Sequence, residues 1–398
     1  MSNGPGPRRR WLVLAVGAAA QGVNAVGFLG LPVLTPQLRD HFRLDLPAVG
    51  LLLGAVSLGT VLALVPWGVA TDRFGERPVM LVGLLGSAAC LGGAALATDV
   101  VVVGAALLGL GLFGASVNAA SGRAVMTWFA DGRRGLAMGV RQTATPLGAA
   151  LAAVSLPTLA ARSGVPAAFA ALGGLTTVVA LAVALWVREP PGAVRAPRRR
   201  RVARVGGGDQ VLRSPRLWRL ALGSGLLVVP QFTASALLVE FLHDHHGLSA
   251  GSAAVVLGVA QVLGGAGRLG TGLWSDASGS RLGPLRVLSA LVAAGFLAGA
   301  LVDSAPVGLV VATLVPTAAL ALCWNALAYT AAGEMAPSGR SGTALGLQNS
   351  ANFASAALTP AAAGWVATHV SWPAALLLAA GSAAAARLVL HGLREGSG

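Results

Sequence analysis

About twelve apolar runs, each about twenty residues long, follow one another along this chain of 398 residues. A hydrocarbon core about 30 Å thick takes about 20 helical residues to cross. Backbone inside lipid must satisfy its own hydrogen bonds, which leaves helices or closed barrels, and runs of this length mean helices. The spans read 11–31, 48–70, 79–98, 101–122, 136–159, 167–187, 217–239, 251–274, 284–303, 306–332, 342–367 and 372–391. Only 11% of the residues are charged, against about 25% in an ordinary soluble domain, so the chain cannot clothe a water-facing surface. The expected fold is therefore an all-α integral membrane protein with twelve transmembrane helices. A soluble enzyme is excluded, and so is a nucleic-acid partner despite the formal charge of +14. Cys90 and Cys323 both sit in apolar runs, which excludes a disulfide framework. Arg8–Arg10 before the first run invite a signal-peptide reading. That run is too long for one and carries Gln21 and Asn24.

Arginine placement sets the expected orientation. With the N-terminus in the cytoplasm, most of the 28 basic residues, all of them Arg, fall on the cytoplasmic side. Arg39, Arg43 and Arg162 fall in outer loops, and Arg141 and Arg268 lie within spans. The chain is thus expected in the cell membrane as a multi-pass protein with both termini cytoplasmic. Segment 188–216 holds Pro190, Pro191, Pro197, the run Arg198–Arg201 and Gly206–Gly208. It reads as a flexible cytoplasmic linker, either a plain positive-inside anchor or a binder of anionic lipid head groups.

The chain also repeats itself. Segment 134–151, RGLAMGVRQTATPLGAAL, aligns with 341–358, SGTALGLQNSANFASAAL, at an offset of about 207 that carries Gly135 onto Gly342 and Arg141-Gln142 onto Gln348-Asn349. The same offset carries Asn118 onto Asn325 and Asn24 onto Gln231, and one of about 204 carries Gly68, Asp72 and Gly75 onto Gly272, Asp276 and Gly279. A near-constant offset across several spans means duplication. The expected domains are a six-helix bundle over 1–187, the linker 188–216 and a second, pseudo-symmetric six-helix bundle over 217–398. Sites in such proteins lie near mid-membrane at the interface of the repeats.

Between spans two and three stands Gly68-Val69-Ala70-Thr71-Asp72-Arg73-Phe74-Gly75-Glu76-Arg77-Pro78. Gly68 permits close helix contact, Asp72 suits a neighbouring helix N-terminus, and Gly75 allows a tight turn. The spacing G-x-x-x-D-R-x-G-x-R resembles the signature loop of the major facilitator superfamily, and a degenerate copy, Gly272 to Arg281, sits where that family repeats it. The resemblance covers essentially the whole chain. It implies a secondary active transporter working by alternating access on a small-molecule substrate, functional as a monomer, with no enzymatic activity, cofactor or metal. It also implies a gating role for Gly68, Asp72, Arg73, Gly75 and Arg77, mirrored by Asp276 and Arg281. Two departures stand out: Glu76 occupies a usually basic position, and the span-four Arg common in proton-coupled members is missing.

Polar residues inside spans are the substrate-pathway candidates, because unpaired they are costly in lipid. Arg141 leads, since a guanidinium offers a two-pronged match to carboxylate or phosphate. It lies about one and a half turns into its span, so snorkelling to the interface is the alternative. Depth matching about the inter-span loops sets Asn118 beside Arg141 and Asn325 beside Gln348, with Gln142 and Asn349 extending the ring. Asn24, Gln231 and Trp324 join as cavity lining. Arg268 reads as interfacial or gating, with substrate contact the alternative, and Arg123 as an anchor near an inner span end. His243-Asp244-His245-His246 reads as a solvated outer loop, with metal binding or pH sensing the alternative. The expected substrate is a small organic anion or polar metabolite. Drug or metabolite efflux within the same superfamily is the alternative, and an integral membrane transferase is the different-class one, without the paired carboxylates such chemistry needs.

Overall fold

The computed structural model describes residues 7–44, 46–188 and 209–395. The Arg-rich stretch 189–208 lies outside them, and with it most of the expected linker and its lipid contacts. Among the described residues every regular element is helical. In chain order these are α1 (Pro7–Leu29), α2 (Thr35–Phe42), α3 (Leu46–Phe74), α4 (Glu76–Leu96), α5 (Val100–Trp128), α6 (Asp131–Trp186), α7 (Asp209–Leu212), α8 (Pro215–Glu240), α9 (Ala250–Ser278), α10 (Leu282–Leu301), α11 (Val307–Ala321), α12 (Asn325–Met335), α13 (Ser341–His369) and α14 (Trp372–His391).

Among the described residues, ten helical stretches are long and apolar enough to cross a membrane. One of them, Gly132–Trp186, runs 55 residues, about twice a bilayer at 1.5 Å per residue. Gly164 breaks it, with φ 83° and ψ 164°, a conformation that a side chain would strain. That helix therefore makes two passes. α13 adds another: its 29 residues suffice to span, although Gln348, Asn349, Ser350 and Asn352 lower its hydropathy. Among the described residues the passes then number twelve, as the apolar runs predict.

The chain divides into two compact units. The first comprises Met1–Ala130, Val140–Arg213 and Ala336–Ser350; the second comprises Asp131–Gly139, Ser214–Met335 and Ala351–Gly398. Each sequence half thus lends a short segment to the unit built mainly from the other. Within the first unit, Leu31, Leu38, Leu107 and Phe169 pack in one buried cluster and Met80, Val117 and Val183 in another. The outside is apolar as well: Leu51, Val101 and Val154 are largely exposed, while Arg141 and Asn118 are buried. Water would penalise such a surface; acyl chains do not. Helix starts are capped where the sequence supplies a short polar residue. The Asp99 carboxylate accepts from the Val101 and Val102 N–H groups, and Ser249 and Ser371 cap α9 and α14.

The run 306–332 departs from expectation, because it is not one helix. At its break, Leu322 N–H donates to the Ala319 carbonyl (3.1 Å) and Cys323 N–H to that of Leu320 (3.0 Å), a tightened turn. Freed carbonyls in lipid need donors. Arg268 Nε donates to the Leu322 carbonyl at 2.8 Å and Thr271 Oγ1 to that of Cys323 at 3.1 Å. Arg268 is buried, so its side chain turns into the second unit rather than to an interface.

Candidate functional site

In the first unit, α1, α5 and α6 bring four polar side chains together around a guanidinium. Arg141 is only 1% exposed. Its Nε donates to Ser121 Oγ (2.8 Å), Nη1 to Gln142 Oε1 (2.6 Å), and Nη2 to Gln21 Oε1 (3.0 Å) and to the Asn118 carbonyl (2.9 Å). Gln21 Nε2 in turn donates to Asn118 Oδ1 at 3.0 Å. The other Asn118 atom, Nδ2, is buried with no hydrogen-bond partner among the described residues. Such a network fixes the rotamer of each member. Arg141 and Ser121 line a cleft of about 210 Å³ with Val13, Leu14, Gly17, Ala124, Val125 and Phe129. Of the two sequence expectations for Arg141, the inward one describes its side chain and snorkelling does not. Asn118 stands beside it, as depth matching places it. Gln21 is the member that sequence reasoning left out; it lies one turn before Asn24 on a similar face.

The remaining pathway candidates divide between the two units. Asn24 lines a separate cleft of the first unit, about 240 Å³, with Ser87 and Thr176. Gln348 and Asn349 are buried in the same unit, and Asn349 Nδ2 donates to the Leu345 carbonyl. In the second unit, Asn325 Nδ2 donates to Gln231 Oε1 at 3.0 Å. Trp324 is buried, and its indole N–H has no partner among the described residues.

The loop motif builds a charged cluster. Asp72 is buried at the first turn of α13. Its carboxylate accepts from the N–H groups of Gly342 and Thr343, each at 2.8 Å, and from Thr343 Oγ1 at 2.6 Å. These N–H groups have no partner inside their own helix, so Asp72 acts as a remote N-cap. Gly68 makes this possible, because a side chain there would overlap the Gly342 carbonyl. Gly75, at φ 91°, turns the chain into α4. The cation facing Asp72 is Arg123 (Nε to Oδ1, 3.4 Å), which also donates from Nη1 to Glu76 Oε1 at 2.8 Å; Thr127 Oγ1 donates to the same oxygen. Arg73 is exposed over the Phe74 ring, and Arg77 is exposed with Nη2 on the Ala184 carbonyl at 2.6 Å. Sequence reasoning thus missed Arg123 and Glu76. The available signal was Glu76 itself, since a buried acid needs a cation.

The second unit carries the counterpart. Asp276 accepts from the N–H groups of Gly135 and Leu136, both at 2.9 Å, and from Arg281 Nη1 at 2.7 Å. Arg281 also grips Glu334 through Nε (3.1 Å) and Nη2 (3.2 Å), and Arg134 approaches Glu334 at 3.7 Å. The Glu395 carboxylate accepts from Ser280 Oγ and from the N–H groups of Arg281 and Leu282. The repeat predicts this reciprocity: Gly135-Leu136 is the copy of Gly342-Thr343, so each repeat's aspartate caps the helix of the other repeat.

Residues 14–357 match the family described as Major Facilitator Superfamily. An uncharacterized MFS-type transporter of Mycobacterium tuberculosis is 36% identical over 387 residues, 95% of this chain and 84% of that protein. A probable sulfoacetate transporter of Cupriavidus necator is 25% identical over 75% of this chain and 72% of its own. Among solved structures, the E. coli fucose:proton symporter superposes with a TM-score of 0.77 at 15% identity, covering 98% of this chain and all of that one. Matched along most of its length, the chain belongs to the Major Facilitator Superfamily and is a multi-pass membrane transporter rather than an enzyme.

Proposed function

We propose that this transporter moves a small organic anion by alternating access, and that Arg141 receives the anionic group. The observation that carries this reading is a buried guanidinium lining a cleft beside the unengaged amide donor of Asn118. A guanidinium is a fixed positive charge that favours carboxylate or sulfonate oxygens, and Gln21, Ser121 and Gln142 hold it in place. The relative named for sulfoacetate transport supports the same class of solute. Uptake into proteoliposomes from a panel of carboxylates, sulfonates and neutral analogues tests it. Anions should be carried, and Arg141→Ala should abolish their transport. Unchanged affinity and rate for an anion in Arg141→Ala refutes it.

The two aspartate clusters are the proposed gates: Asp72 with Arg123 and Glu76, and Asp276 with Arg281 and Glu334. The arginine bias supports cytoplasmic termini and, with them, a cytoplasmic side for both proposed gates. Efflux of apolar compounds is a second reading, favoured by an apolar cavity of about 350 Å³ in the second unit, among Thr233, Leu237, Phe241, Phe296 and Trp372. Apolar compounds carried in preference to anions in the same assay would select it.

A further inference from the structure

The loop expected to be a solvated run of histidines is built more tightly than that. Past the end of α8, Phe241–His245 forms a π-helical turn. It carries His245 and His246 against Asp303, which follows α10, so residues 57 and 58 positions apart meet at one end of the second unit. His245 Nε2 lies 3.0 Å from both Asp303 oxygens, and His246 Nε2 lies 3.7 Å from Oδ1. One ligand atom from each residue falls within 4.8 Å of the other two. The imidazoles cannot swing freely. Phe241 stacks on His245 (5.6 Å, 27°) and meets His246 edge-on (4.7 Å, 80°), while Trp372 flanks His245 at 6.5 Å.

One atom in this arrangement lacks a hydrogen-bond partner. His246 has a side chain 9% exposed, and its Nε2 is buried with no such partner among the described residues. An atom so placed, aimed at a carboxylate but beyond hydrogen-bond reach, is costly unless something sits between them. We propose that His245, His246 and Asp303 form a divalent transition-metal site, best suited to Zn²⁺. Tetrahedral bonds of about 2.0–2.1 Å put ligand atoms about 3.3 Å apart, and the observed 3.0 and 3.7 Å bracket that spacing. Two imidazoles and one carboxylate are borderline donors of the kind zinc takes. The ion would staple the α8 end to the turn before α11, at the end of the unit opposite Asp276 and Glu334.

The test uses the full-length protein in detergent, without a polyhistidine tag, titrated with Co²⁺ and with Zn²⁺ against a chromogenic chelator. One equivalent should bind, and Co²⁺ should show the visible absorption of a four-coordinate site. Asp303→Asn and His246→Gln should each weaken Zn²⁺ binding about tenfold or more, whereas His243→Gln should leave it unchanged. The melting temperature of each variant without metal reports whether it is folded, and Asp303→Asn keeps an acceptor for His245 if His246→Gln proves unstable. Absence of a saturable equivalent, or an unchanged affinity in Asp303→Asn, would overturn the proposal and leave Asp303 as a hydrogen-bond partner of His245 alone.

Discussion

Replacing Asp72 by Asn removes one negative charge and little volume, and the surrounding donors determine the cost. The carboxylate accepts from Gly342 N–H, Thr343 N–H and Thr343 Oγ1 and faces Arg123. An amide has one acceptor oxygen. Turned one way, its NH2 confronts both Thr343 donors; turned the other, it confronts Gly342 N–H and the Arg123 guanidinium. Either orientation forfeits about two charge-assisted interactions, each worth about 1.5–3 kcal/mol. A loss of about 3 kcal/mol at the first turn of α13 corresponds to about a hundredfold, at tenfold per about 1.4 kcal/mol. Hydrogen–deuterium exchange of peptides covering 338–347 is the direct assay, because protection there reports the local opening free energy. Exchange at Gly342 and Thr343 should accelerate about a hundredfold, while peptides from α4 beyond its first turn stay protected. Protection unchanged within about threefold would refute the claim that Asp72 holds this helix end.

Asp276→Asn should do the same to peptides covering 133–138, and in the double variant the two losses should add, since the clusters share no residue. Arg141→Lys should retain the charge yet lose the planar fork that Ser121, Gln142 and Gln21 hold in place, leaving transport far below wild type but above Arg141→Ala in the liposome assay. Arg268→Ala strips the donor from the Leu322 carbonyl at the α11–α12 break. At about 1–3 kcal/mol for a buried carbonyl left bare, the detergent melting temperature should fall by several degrees, and an unshifted melting curve would count against the account of that break.

The number of passes was legible because hydrophobic length is a local property. Even α13, with Gln348, Asn349 and Asn352 inside it, was legible as the run 342–367. The break at Gly164 was legible too, as a gap between two runs. The break after Ala321 was not. Nothing in Leu322-Cys323-Trp324 is a helix breaker, and the turn is stabilised by Arg268 and Thr271, more than fifty residues away.

The site divides along the same line. Arg141 and Asn118 could be paired from sequence because antiparallel neighbours joined by a short loop meet at equal depth. Gln21 comes from a helix more than ninety residues earlier, and which face of α1 meets α5 is set by packing, not by spacing. The charge partners show the limit most clearly. Asp72 has Arg73 one residue away and Arg77 five away, and proximity in sequence favours either of them. Helical geometry overrules it: successive residues do not share a face, so Arg73 turns outward over Phe74. Gly75 then redirects the chain, so Arg77 leaves the Asp72 neighbourhood for the Ala184 carbonyl. The cation left to face Asp72 comes from α5, where Arg123 looked like an anchor only because it stood near a span end. Two acids flanking one buried guanidinium are mutually repulsive unless further donors share the load, and the free N–H groups of α13 supply them. That coupling makes the cluster sensitive to α13 position: withdrawing those donors leaves Asp72 and Glu76 competing for Arg123, and the proposed gating role of Asp72 rests on that competition.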